Sequence, residues 1–193
     1  YYLAETGKWE TPHVMEHLLC GANQKYRKAR TFEAEVKKNG AYTNAYTSTY
    51  NVGYVGECAD FEWGRILDLL LLSISRPMFL QEEFTAEMGN VREELTGYLT
   101  NYFRQLGVAL SERIGFLVTS DRKRLSGLNN LTVEDIRKHY KKTHHLGNTK
   151  FVIAGNLKGR RDEIIQTIEK KLLLPEGDLI DLPATVFKKQ ATP

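Results

Sequence analysis

Cysteine is scarce in this chain. Cys20 and Cys58 are the only two in 193 residues, so at most one disulfide is available and no disulfide framework is expected. Long apolar runs are lacking as well. The longest, Leu69 to Leu72, falls far short of the roughly 18 residues that cross a bilayer, so no membrane span is expected. Charge of one sign is also missing: 27 Lys and Arg stand against 24 Asp and Glu, a net charge of +3. That balance gives no basis for a nucleic-acid partner. The basic residues that do cluster, at 25–30, 122–124 and 137–142, read as solvated faces or loops. No leader peptide is read at Tyr1, and a chain that does not begin with Met leaves localisation open.

What is present is an ordinary globular balance, 41% hydrophobic and 26% charged, on a length that fits one domain. There is no internal repeat. Helical periods and a hairpin pattern mix without a βαβ rhythm, which predicts an α+β fold: a two-layer domain with an antiparallel-rich sheet packed against helices.

Taken in order, residues 1–12 read as a short strand and a turn at Gly7, and Thr11-Pro12 opens a helix reaching about Lys25. A second helix is expected from Thr31, as N-cap, to Asn39, with Gly40 after its end. The period then changes to two, and residues 41–47 and 51–57 predict an antiparallel hairpin. Asp60 is expected to cap a helix that Pro77 stops. A longer helix follows from Gln81 to about Tyr102, weakened at Gly89 and Gly97. More helical pattern covers 106–116, a loop 120–130, and a side-chain-capped helix starts at Thr132 and runs through His139. Lys150 to Ala154 reads as a strand, and Asp162 to Leu174 as a last helix that Pro175 ends.

Histidine is also rare, with five in the chain, yet two of them share the stretch His13-Val-Met-Glu16-His17. On a helix the four-residue spacing stacks His13 and His17 on one face with Glu16 beside them. Two neutral imidazoles suit Zn²⁺, whose catalytic sites take three protein ligands and keep a position for water. Zinc lowers the pKa of water from 15.7 to about 7, within reach of a carboxylate base such as Glu16. The order His-x-x-Glu-His is a recognised inverted signature. A third ligand is sought on the face Glu87, Val91, Glu94 and Tyr98 of the long helix. Cys20 reads instead as a small buried residue, His144-His145 as a surface turn, and His139 as a surface or interface histidine.

Three blocks resemble the pitrilysin or insulinase-type zinc metallopeptidases, a family that includes the mitochondrial processing peptidase. They are His13-Val-Met-Glu-His17, Asn44-Ala-Tyr-Thr-Ser48, and Glu87 through Leu95, which carries two glutamates seven residues apart. Residues 131–140 and 148–156 resemble the family's closing helix and strand more weakly. The resemblance implies one Zn²⁺ held by His13, His17 and Glu94, with Glu93 as the competing candidate for the last place. It implies Glu16 as general base and Glu87 as a group supporting the ligands. Asn44 and Ala45 would bind substrate as an added strand.

The implied activity is zinc-dependent endopeptidase cleavage of peptides or unfolded polypeptides, inside a chamber formed with a second homologous domain or subunit. Residues 1–174 would then be the N-terminal catalytic domain, one half of a bilobal metallopeptidase, and 175–193 a linker toward a second domain. The alternative from another class is a non-catalytic partner or scaffold subunit of the same family.

Overall fold

A computed structural model describes residues 6–116 and 118–181. Residues 1–5, where the expected strand begins, and the far part of the expected linker, 182–193, lie outside the described residues. The fold is α+β. Its elements are α1 (Thr11–Leu19), α2 (Ala29–Val36), β1 (Tyr42–Thr47), β2 (Val52–Glu57), α3 (Trp63–Ser75), α4 (Gln81–Tyr98), α5 (Tyr102–Arg113), α6 (Asp121–Gly127), α7 (Val133–Thr143) and α8 (Arg161–Lys171).

α1 is the centre of the packing. It touches α4, α7 and both strands, and Val14 and Met15 have no solvent exposure. Those side chains join Leu18, Leu19, Phe84, Val91, Leu95 and Ile136 in the main core. A smaller core forms where Phe32 and Val36 of α2 meet Ile66 and Leu69 of α3. α3 therefore packs against α2, the hairpin and α8.

α1 stops at Leu19, well before the expected Lys25. Polar side chains take over the backbone groups that a longer helix would use. The Asn23 Oδ1 accepts from the backbone N–H of Lys25 and Tyr26 at 3.2 and 3.0 Å. Glu83, from α4, accepts from Ala22 and Ala29 at 3.0 and 3.2 Å. This also moves the start of α2 to Ala29, two residues before the expected cap at Thr31.

After α2, Asn39 and Gly40 take positive φ of 56° and 73°, turning the chain into β1. β1 and β2 are antiparallel, with Asn44 opposite Val55, Ala45 opposite Tyr54 and Thr47 opposite Val52, as the alternating pattern predicts. Gly53 faces Tyr46, and a Cβ there would lie 2.3 Å from the Tyr46 ring. Only glycine leaves the ring that slot.

The long helix expected from Gln81 is interrupted. Asn101 is extended, and its side chain accepts from Arg104 N–H, so a new N-cap separates α4 from α5. The expected loop at 120–130 holds α6 and a 3-10 turn. The Ser120 hydroxyl caps α6 by accepting from Lys123 N–H, and Asp121 sits in its acidic first turn. At α7 the capping box expected from Thr132 is formed with Asp135.

Residues 150–154, expected as a strand, are exposed and pair with no strand among the described residues. A strand assignment needs a neighbour to share its N–H and C=O groups, and none is there. Residues 175–181 form neither helix nor strand. They run against the 3-10 turn at 146–148, where Pro175 and Gly177 carbonyls accept from Leu146 and Gly147.

The expected surface turn at His144-His145 is also corrected, since both residues are buried. His144 ends α7 stacked on Tyr140 at 4.7 Å, and the Tyr54 hydroxyl lies 3.1 Å from its Nε2. His139 is half-buried, with no partner for its Nδ1. Cys20, expected inside, is exposed at the end of α1. No helix among the described residues is long and apolar enough to cross a membrane.

Candidate metal centre

The site begins with the start of α1. Pro12 occupies its first turn, where the missing N–H has no helical partner to lose. One turn of helix then separates His13 from His17, and their rings stand edge to face with centroids 4.9 Å apart. α4 packs across α1 through Val91 and Leu95, both fully buried. Burial of Leu95 places its neighbour Glu94 over the histidine pair, while Glu93 is turned to solvent.

Each histidine is held from behind by a carboxylate. The Nδ1 of His13 lies 2.9 Å from Glu10 Oε2, and the Nδ1 of His17 lies 2.9 Å from Glu87 Oε2. A carboxylate accepts only, so each Nδ1 donates to it, and in the neutral ring the Nε2 lone pair is the one turned toward the site. Both Nε2 atoms face the same oxygen: Glu94 Oε2 is 3.3 Å from His13 and 3.9 Å from His17. The other Glu94 oxygen accepts from the Tyr98 hydroxyl.

These three residues offer ligand atoms that all lie within 4.8 Å of one another. Ligands about 2.0–2.1 Å from a tetrahedral zinc stand roughly 3.3 Å apart. Small side-chain shifts therefore bring the two nitrogens and one oxygen to that separation. The donor set and its carboxylate-backed imidazoles fit zinc.

Glu16 is buried beneath this group and is not one of the three. Its Oε2 accepts from the Thr47 hydroxyl at 2.6 Å, which fixes the carboxylate at the floor of an open cleft of about 830 Å³. His13, Glu16, Asn44, Ala45 and Glu94 line that cleft. The candidates named from sequence thus share one cavity, except Glu87, which stands behind His17, and the competing Glu93, which faces solvent.

The electrostatics follow the contacts. Glu87 raises the His17 pKa above the ordinary histidine value, and His17 in turn lowers that of Glu87. Burial opposes ionisation of Glu10, but the His13 and Arg124 contacts outweigh it and hold its carboxyl below the usual range. The bond to Glu94 raises the Tyr98 phenol.

Three contributors were not assigned their contacts from the sequence. Glu10 lies three residues before His13, a spacing that signals a shared helical face. Thr47 lies inside the Asn-Ala-Tyr-Thr block, and Tyr98 follows Glu94 by one helical turn. Arg124, which grips Glu10, and the Asp121 and Arg104 that it leads to were not assigned to the site, because the helix carrying two of the three read as a loop.

Among solved structures, a protease from Helicobacter pylori superposes with a TM-score of 0.69 at 19% identity, over 94% of this chain and 44% of that one. The first half of the periplasmic protease PqqL from Escherichia coli gives 0.69 at 16%, over 91% of this chain and 40% of that one. Pitrilysin gives 0.69 at 17%, over 92% of this chain and 20% of that one. At these identities the structures show the shared fold. A curated relative, the probable mitochondrial-processing peptidase subunit beta of Arabidopsis thaliana, is 23% identical over 164 residues, 83% of this chain and 30% of that protein. The chain therefore spans less than half the length of each of these relatives. Residues 11–114, which hold both histidines, the hairpin and Glu94, match the family model for insulinase, peptidase family M16, and the chain belongs to that family.

Proposed function

We propose that this chain is the catalytic N-terminal domain of a zinc-dependent endopeptidase, acting on peptides or unfolded polypeptides within a chamber completed by a second homologous domain or subunit. The observation that carries the reading is the convergence of His13 Nε2 and His17 Nε2 on one Glu94 oxygen, with Glu16 beside them in the cleft.

His13, His17 and Glu94 would hold the ion. Zinc, when bound, supplies a Lewis acid that acidifies water and polarises a carbonyl. Glu16 is the group that moves protons: it accepts one from the attacking water and passes it to the departing amine. Thr47 occupies one of its oxygens, which leaves the other for that exchange. Asn44 and Ala45 bind the substrate. β1 pairs only with β2 among the described residues, and an extended peptide laid along its other edge gains backbone hydrogen bonds with little demand on its sequence. Residues 1–174 form the catalytic domain and 175–193 lead toward the second one.

The test is the zinc content of the purified chain after metal reconstitution, beside His17→Ala. Near one zinc per chain, lost in the variant, is the expected result. An equal content in both overturns the ligand assignment, and no zinc in either turns the reading to a non-catalytic subunit.

A further inference from the structure

Two of the proposed ligands are joined by a second route that runs behind the site. It starts at His13 Nδ1, 2.9 Å from Glu10 Oε2. Arg124 grips both oxygens of Glu10, through Nε at 2.5 Å and Nη2 at 3.0 Å. Its Nη1 reaches Asp121 Oδ1 at 3.1 Å. Arg104 forks onto the two Asp121 oxygens at 2.8 Å each, and its guanidinium lies 3.9 Å from the centroid of the Tyr98 ring. Tyr98 donates its hydroxyl to Glu94 Oε1, and Glu94 Oε2 faces His13. The path closes on itself.

The groups in it are not casual surface charges. Glu10 and Asp121 are 3% and 5% exposed, and each accepts a two-pronged contact from an arginine. Such forks hold direction as well as charge. An unpaired buried carboxylate is costly, and Arg124 supplies the partner that Glu10 needs behind His13. With both its oxygens engaged, Glu10 orients the imidazole and is unavailable as a ligand itself. At the other end, a glutamate on a helix surface has rotatable torsions to lose. Tyr98 takes one Glu94 oxygen and leaves the other turned to the histidines.

We propose that Glu10 and Tyr98 are positioning residues for His13 and Glu94, coupled to each other through Arg124, Asp121 and Arg104. The role rests on the zinc reading above and adds to it a support for the first histidine and for the carboxylate ligand. α6 is then part of the metal centre although it supplies no ligand.

The test uses the purified chain with Glu10→Gln, Tyr98→Phe and the double variant. Zn²⁺ affinity is measured by competition with a chromophoric chelator, and the geometry of the site by the visible absorption of bound Co²⁺. Each single variant is expected to bind Zn²⁺ about 10-fold more weakly, within the range seen for loss of an outer hydrogen bond, and to alter the Co²⁺ spectrum. The double variant is expected to lose less than the product of the two, because the coupling is already broken by either. Asp121→Asn, which touches no ligand, is expected to weaken binding as well. Variants that lose thermal stability but keep wild-type Zn²⁺ affinity and an unchanged Co²⁺ spectrum overturn the positioning role. A product-like double variant overturns the coupling. Failure of the wild-type chain itself to bind zinc is a separate result, which removes the metal reading together with this one.

Discussion

His17 Nδ1 lies 2.9 Å from Glu87 Oε2 across 70 residues of sequence. That contact joins α1 to α4 and sets the charge of both partners: Glu87 raises the His17 pKa and is itself lowered. A proton on His17 competes with any metal at its other nitrogen.

Glu87→Gln is therefore expected to return the His17 pKa toward the ordinary value, read by NMR titration of the imidazole in the metal-free chain. At neutral pH the loss of the carboxylate behind the ligand is expected to outweigh the reduced proton competition, weakening Zn²⁺ binding by about 10 to 100-fold. A titration that does not move would show that the contact contributes nothing to His17.

Neighbouring glutamates on α4 are expected to behave differently. Glu94→Ala loses the metal, whereas Glu93→Ala, altered at an exposed position, keeps it. Elemental analysis of the two variants checks this. Metal loss from Glu93→Ala alone would move the ligand by one residue.

For Glu16→Gln the expectation separates binding from catalysis. The amide can still accept from the Thr47 hydroxyl, so zinc content stays near wild type, while peptide hydrolysis by the complete enzyme falls by about 100 to 10,000-fold. Cleavage at the wild-type rate would remove Glu16 as the base.

Acid is expected to weaken the fold through two histidines outside the site. Burial pushes His139 and His144 down to about 4 from 6.5, with help from Lys142 and from the neighbouring histidines respectively. Between those values the unfolded chain binds more protons than the folded one. Stability is thus complete above 6.5 and falls as pH drops toward 4, by up to about 1.4 kcal/mol per pH unit for each histidine. The raised pKa of His17 has the opposite sign, so the urea midpoints at about pH 7 and about pH 5 are best compared in a His17→Gln background. His144→Gln is expected to flatten the dependence, and equal midpoints at both pH values would contradict it.

The core makes a contrast between two leucines. Leu95 is fully buried between α1 and α4, and Leu95→Ala is expected to cost about 2 to 5 kcal/mol in urea unfolding. Leu110 on α5 is 58% exposed, and its replacement by Ala is expected to stay within about 0.5 kcal/mol. Similar losses at both would place α5 in the core.

What could be read from the residues divides by range. His13, Glu16 and His17 form a pattern inside one helix, and the hairpin announces itself by strict alternation, so both were legible. Glu94 needed the family resemblance, because composition alone does not say which of two adjacent glutamates faces α1. α6 was missed even though Ser120 and Asp121 are ordinary start signals, since the seven residues Asp121–Gly127 carry almost no apolar period. The burial of His144 and the lack, among the described residues, of a partner for residues 150–154 are set by chain far away in sequence, and no local window contains them.

Thr47 closes β1 and also donates to Glu16, so hairpin alignment and carboxylate orientation are a single property. Side chains alternate along a strand, and a slip of one residue would turn Thr47 to the opposite face and bring Tyr46 or Ser48 toward the carboxylate. The Tyr46 ring seated over Gly53 opposes that slip. A peptide aligned on β1 would accordingly be indexed, residue by residue, to the one carboxylate able to exchange protons with it.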